Sequence, residues 1–212
     1  SDMLLNPGKS FSFNGQTYQY PNIKLVYWAG GNPFHHQMNL SKLRKATFKP
    51  DTIITNEIWW NSLARHADII FPTTTTLERN DIGFRHWEQT VSPMHKAIDP
   101  IGNSRNDFDI FSLISEKLGI KEQFTENKNE EEWLKTLWDE AKESARENNF
   151  YLPDFDQFWN GGFFEVLKPT HEQILMEDFV KKPEKFPLSN RSKKIEIFSD
   201  EVDSFNYSDC PG

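Results

Sequence analysis

Cysteine is nearly absent. A single residue, Cys210, in a chain of 212 excludes an internal disulfide framework and any cysteine-rich metal centre built within the chain. Long apolar runs are missing as well, and no stretch approaches the roughly 20 consecutive apolar residues that span a bilayer. Basic charge is in deficit: 24 Lys and Arg stand against 32 Asp and Glu, for a net charge of -8 and a pI near 5.3. No basic stripe is visible, so nucleic acid is not an expected partner. Neither a Gly-x-Gly-x-x-Gly fingerprint nor a Walker loop occurs, and Ser62, Ser104 and Ser112 lack a context that activates a nucleophile. Chemistry has to be brought by something bound. The opening Ser1-Asp2-Met3 has neither the basic nor the apolar region of a secretory signal. With turn-like ends at Asn6-Pro7-Gly8 and Asp209-Cys210-Pro211-Gly212, the chain reads as an excised domain.

What is abundant is aromatic: 14% of the residues, with 7 Trp and 18 Phe. That suits a piece that buries large side chains against neighbouring domains as well as within itself. The length is enough for a real core and gives a prior of one domain. The expected layout is a single α/β cofactor-binding domain over 1–212, with a lead-in hairpin over 1–22 and an irregular excursion over 150–190.

The chain is organised around Ile23 to Asn39. Leu25-Val26-Tyr27-Trp28 predicts a strand covered on both faces, which empties into Gly30-Gly31-Asn32-Pro33. The glycines remove the Cβ that keeps a ligand from the backbone, and the loop at the carboxyl end of such a strand is where ligands sit in an open α/β sheet. Before it, aromatic-polar alternation from Phe11 to Tyr20 around Asn14-Gly15 predicts a hairpin. After it come a helix from Leu40, a second strand at Thr52 to Thr55, a short helix from Trp60 to His66 and a third strand from Ala67 to Pro72. The spacing predicts a doubly wound, mostly parallel sheet with helices on both faces and aromatic-rich additions. Further on, Gly83 to Asp99 has irregular strand character, and Asp107 to Leu118 and Glu130 to Arg146 read as helices. Leu152 to Trp159 reads as an aromatic-anchored loop, Lys168 to Pro187 as a surface excursion, Lys194 to Phe198 as a strand and Asp200 to Phe205 as a short helix.

Several polar residues fall at the predicted strand ends. His35 and His36 are adjacent, so they point in different directions, and hydrogen bonding suits them better than a metal. Asn56 and Glu57 form a pair at the second strand's end, either solvated or facing a nucleotide. Arg79 is a surface charge or a bidentate phosphate contact. Asp107 is a helix cap, or it accepts the paired N–H donors of a guanine edge.

Three long motifs carry a resemblance. Trp28 to His36, Ala64 to Pro72 and Thr74 to Gly83 stand in order, followed by Ser104 to Phe111, Leu152 to Phe155, Lys194 to Ser199 and Asp209 to Gly212. Together they resemble the dimethyl sulfoxide reductase family of molybdopterin oxidoreductases, in the branch of trimethylamine-N-oxide and biotin sulfoxide reductases, over nearly the whole chain. The resemblance implies the third domain of an enzyme whose molybdenum is held by two molybdopterin guanine dinucleotides. Carried over by motif position, Asn32, His36, Asn56, Glu57, Arg79 and Asp107 line one guanine dinucleotide. The metal ligand and catalytic residues belong to parts outside this chain. Relatives commonly continue the first loop with a third His, then Gln and Asp, where Gln37, Met38 and Asn39 stand here. They often end the second strand with Gln-Asp or His-Asp, where this chain has Asn56-Glu57.

The resulting expectations are a reductase of S-oxides or N-oxides working in anaerobic respiration, a fragment that is apo and inactive by itself, and partners in the remaining domains and an electron-donor protein. The parent is expected in the periplasm, with the cytoplasm as the alternative. A non-enzymatic nucleotide-binding module, with Trp133 to Trp138 and Phe155 to Phe164 as its interface, is the competing class. A hydrolase using Asp154 and Asp156 is disfavoured, because carboxylates two apart on a loop seldom oppose each other.

Overall fold

The hairpin turn is set by two residues that tolerate left-handed torsions, Asn14 at φ 51° and Gly15 at φ 71°. They join β1 (Ser10–Phe13) to β2 (Gln16–Gln19) in antiparallel register, Phe11 opposite Tyr18. This computed structural model describes residues 1–85, 90–166, 174–208 and 210. The chain divides into two compact units: 1–5 with 23–168, and 6–22 with 169–212.

The first unit holds two three-stranded sheets. One is parallel, in the order β3 (Leu25–Ala29), β4 (Thr52–Glu57), β5 (Ile69–Pro72). The other is antiparallel, from β6 (Asp81–Phe84), β7 (Thr90–Met94) and β8 (Phe164–Glu165). Its helices are α1 (Asp2–Leu5), α2 (Pro33–His36), α3 (Leu40–Thr47), α4 (Asp107–Lys117), α5 (Lys121–Thr125), α6 (Glu130–Glu147) and α7 (Phe155–Gly161). The second unit adds α8 (Glu177–Lys181) and α9 (Asp200–Ser204) to the hairpin. The α/β class read from the sequence therefore stands, with antiparallel sheets beside the parallel one.

Burial in the parallel sheet falls on its middle strand. β4 buries Ile53, Thr55 and Asn56, whereas β3 lies at an edge and leaves Leu25 54% exposed. The strand expected to be covered on both faces is thus the less covered one, because strand order and not apolar content decides which strand is central. Asp68 ties the entrance of β4 to β5, its carboxylate accepting the Ile53 N–H at 2.8 Å.

A hydrophobic core of Val91, Trp138, Leu152 and Phe158 joins the antiparallel sheet to α6 and α7. α6 starts on a capping box, in which Asn129 and Glu132 satisfy each other's backbone N–H groups, and three glutamates occupy its first turn. Its inward face presents Leu134 and Trp138, one turn apart. Trp138 stacks on Phe158 with ring centroids 3.7 Å apart and donates its indole N–H to the Pro153 carbonyl.

Three local expectations change. The helix predicted over Trp60 to His66 shrinks to a single 3-10 turn, Ala64–His66, whose Ala64 N–H is capped by the Asn61 side chain. Leu152 to Trp159 is not a loop throughout: Phe155, Phe158 and Trp159 recur at helical spacing and form α7. Lys194 to Phe198 forms no strand. The Asn190 amide and the Ser192 hydroxyl take the Lys194 carbonyl, and Ile197 is fully exposed, so the alternation finds no partner strand. Residues 86–89 of the predicted strand region, 167–173 of the surface excursion, and 209, 211 and 212 of the closing turn lie outside the described residues.

Candidate functional site at the ends of the parallel strands

Parallel register brings the strand ends level. Ala29 pairs with Asn56, Asn56 with Phe71 and Glu57 with Pro72, so the loops leaving β3, β4 and β5 emerge side by side. The first loop turns on Gly30 and Gly31, with φ of +83° and +74°, values that side chains other than glycine adopt only with strain. A Cβ added at either would point into open space, which leaves this backbone approachable.

Asn32 ends that loop and caps α2, its Oδ1 accepting the Phe34 N–H at 3.0 Å. Asn32 is 8% exposed, and its Nδ2 is one of two buried side-chain polar atoms without a partner among the described residues. A buried unpartnered donor costs about 1–3 kcal/mol, so it marks a place where a further acceptor fits.

At the end of β4, Asn56 is spent at both ends. Its Oδ1 accepts the Tyr27 hydroxyl at 2.9 Å, and its Nδ2 donates to Asp107 Oδ1 at 2.6 Å. Tyr27 comes from β3 and Asp107 from the first turn of α4, so one buried amide joins three elements. Burial, and after it the Asp107 charge, push the Tyr27 phenol above its ordinary range, which keeps it a donor. Asp107 is exposed; it does not cap its own helix by a side-chain bond, and Asn106 at the cap position does not either. Its Oδ2 has no protein partner among the described residues, which leaves an acceptor on an exposed side chain at the head of α4.

Arg79, expected as a surface charge or a phosphate contact, is held by protein groups on three of its N–H donors. Its Nε and Nη2 donate to Asp81 Oδ2 at 3.2 and 3.1 Å, and Nη1 donates to the Thr74 carbonyl at 3.1 Å. Of its five N–H donors, two remain. Thr74 in turn donates its hydroxyl to Asn106 Oδ1, and Asn106 Nδ2 donates to the Glu130 carboxylate. Burial, then the nearby Asp109 charge, push the Glu130 carboxyl above the usual range, while Asn106 opposes them. Glu78, 4% exposed, accepts the N–H groups of Thr75 and Ile101, which hold its carboxyl below that range.

Of the six residues predicted from sequence, the structure joins Asn56 and Asp107 directly. It sets Asn32 and Glu57 on adjacent strand ends, leaves His36 exposed on α2, and commits Arg79 mostly to Asp81. Sequence reasoning missed Tyr27, whose hydroxyl reads as a core aromatic's tip, and the line from Thr74 through Asn106 to Glu130. It also missed Trp59 and Trp60, which follow Glu57 and are 69% and 67% exposed. No group of three or more metal-ligating side chains occurs among the described residues.

The sequence pattern of the family described as Molybdopterin oxidoreductase matches residues 2–117. A trimethylamine-N-oxide reductase of Haemophilus influenzae is 42% identical over 100% of this chain. A dimethyl sulfoxide/trimethylamine N-oxide reductase and a biotin sulfoxide reductase of Cereibacter sphaeroides are 40% and 38% identical, each over 99% of it. The chain spans about a quarter of the length of these curated relatives: 26%, 26% and 28%. Acetylene hydratase from Pelobacter acetylenicus shares the fold at a TM-score of 0.57 and 16% identity, over 89% of this chain and 23% of that one. With more than half its length carrying the family's pattern, the chain belongs to the molybdopterin oxidoreductase family, whose proteins are built around a molybdenum-pterin cofactor.

Proposed function

We propose that this chain is the nucleotide-holding domain of a reductase that takes oxygen from an N-oxide or an S-oxide, and that the parent enzyme carries molybdenum on two molybdopterin guanine dinucleotides. The relatives support the substrate class: their names specify trimethylamine N-oxide, dimethyl sulfoxide and biotin sulfoxide, all with an oxygen on nitrogen or sulfur. The single observation that carries the nucleotide role is the unpartnered Asn32 Nδ2 in the loop after β3, at strand ends where ligands of α/β sheets bind, with the exposed Asp107 carboxylate bonded to Asn56 at the end of the neighbouring β4.

These residues fit the nucleotide end of such a cofactor. Gly30 and Gly31 admit it to the backbone, and Asn32 Nδ2 supplies a donor for an oxygen of base, ribose or phosphate. Asp107 and Glu57 accept from base N–H groups or ribose hydroxyls. His36, exposed on α2, is free to donate to a phosphate. Arg79, paired with Asp81, braces the Thr74 loop and keeps two donors that suit anionic oxygen. When bound, the cofactor's molybdenum supplies the two-electron reduction. The chain's own part is to hold and orient, and the catalytic groups come from the rest of the polypeptide. An electron-donor protein and a periplasmic setting complete this reading.

The test is a metal and pterin count on the full-length protein. One molybdenum and two pterins per polypeptide, with dye-driven reduction of trimethylamine N-oxide, are the expected result. A full-length protein that binds guanine nucleotide but neither metal nor pterin contradicts the reading and favours a binding module. Turnover by the 212-residue chain alone contradicts the division of labour.

A further inference from the structure

We infer that Tyr27 is a specificity-determining positioning residue: through the Asn56 amide it fixes the Asp107 carboxylate, so that the site prefers a guanine base to a purine lacking the exocyclic amine. This rests on the guanine-nucleotide reading above.

The direction of the Asn56 amide follows from its neighbours. An ionised carboxylate only accepts, so Nδ2 must face Asp107, and Oδ1 then needs a donor that the Tyr27 hydroxyl provides. Reversal would set the amide oxygen against the carboxylate, two acceptors with no proton between them. With Asn56 only 5% exposed, water is not there to repair the loss.

Tyr27 is itself held. Its ring lies 5.3 Å from that of Phe111 and 6.3 Å from that of Phe71. Phe111 sits on α4 one turn beyond Asp107, on the same helix face. Tyr27 therefore reaches α4 twice, by its ring at Phe111 and by its hydroxyl, through Asn56, at Asp107. Two contacts on one helix face fix both where α4 begins and how the carboxylate is turned.

That turn matters to a base with two N–H donors on one edge. A carboxylate free to rotate about its Cβ–Cγ bond meets one donor at a time, whereas one held at Oδ1 keeps its plane and meets both. Guanine offers the ring N–H and the exocyclic amine, and hypoxanthine offers only the ring N–H. The hydroxyl of Tyr27 thus sets the preference between them without touching the base.

Calorimetric titration of the 212-residue chain with GMP and with IMP tests this. Wild type is expected to bind GMP more tightly. Tyr27→Phe keeps the ring contacts and removes only the hydroxyl; it should lower the GMP-to-IMP preference about 3- to 10-fold by weakening GMP. A purely structural role would weaken both nucleotides alike. Asn56→Gln keeps the amide but displaces its reach and should lower the preference too, which covers the case in which Tyr27→Phe does not fold. Asp107→Asn should abolish the preference. If it does, while Tyr27→Phe or a folded Asn56→Gln keeps the wild-type preference, the Tyr27 relay is overturned and the guanine reading stands. A wild type that does not distinguish the two nucleotides, or an Asp107→Asn variant that still does, overturns the guanine reading and the relay with it.

Discussion

Asn56 and Asp107 are 51 residues apart in the chain and 2.6 Å apart in space, a contact that ties the end of β4 to the first turn of α4. Asn56→Ala should strip a partner from both Asp107 and the Tyr27 hydroxyl and cost about 1–3 kcal/mol. Asn56→Asp should cost more, because it sets a buried carboxylate beside Asp107. Urea unfolding of both variants checks the order.

Asn32 separates folding from binding. Asn32→Ser retains an oxygen able to cap α2 and removes the unpartnered buried donor, so stability should hold or rise, by up to about 1–3 kcal/mol. Removing the Nδ2 donor should weaken guanine nucleotide binding about 3- to 10-fold. Equal affinity in the variant and the wild type would take Asn32 out of the site.

In the core, Trp138 is 2% exposed and stacked on Phe158. Trp138→Ala should destabilise the first unit by about 3–5 kcal/mol. Trp138→Phe should cost less, retaining a ring while leaving the Pro153 carbonyl without its donor. Denaturation midpoints followed by circular dichroism measure both.

Two carboxylates give opposite pH limbs. Glu78 has its folded pKa lowered, so its contribution is present above the unfolded carboxylate range and is lost as pH falls through the folded value. Glu130 has its folded pKa raised by burial and Asp109, so stability declines as pH rises from the unfolded value toward the folded one. Glu78→Gln should flatten the acid limb and lower stability at neutral pH. Glu130→Gln, still able to accept from Asn106, should remove the decline on the other limb. Urea midpoints from about pH 3 to 8 show both signs.

Much of this was legible in the sequence because it is local. Asn14-Gly15 states its own turn, Gly30-Gly31 its own loop, and Glu130 to Arg146 its own helix by spacing alone. Which strand lies in the middle of the sheet is not local, and that is why β3 was expected to be more covered than it is. Lys194 to Phe198 shows the converse: alternation is only half of a strand, and the partner is supplied by the rest of the fold or not at all. In the site, Asn56, Glu57 and Asp107 could be picked out by type and position. The use of Asn56 as a link, the turning of Arg79 onto Asp81, and the part played by Tyr27 depend on contacts across long stretches of chain.

The central claim is that the ends of β3 and β4 and the head of α4 form one cradle for a guanine nucleotide. Titrating the 15N-labelled chain with GDP, while following side-chain amide resonances, tests it most directly. The account predicts saturable shifts of the Asn32 and Asn56 amides, with those of Asn127 and Asn129, in the turn between α5 and α6, unmoved. Shifts confined to Asn127 and Asn129, or none at Asn32 when GDP binds, would contradict it.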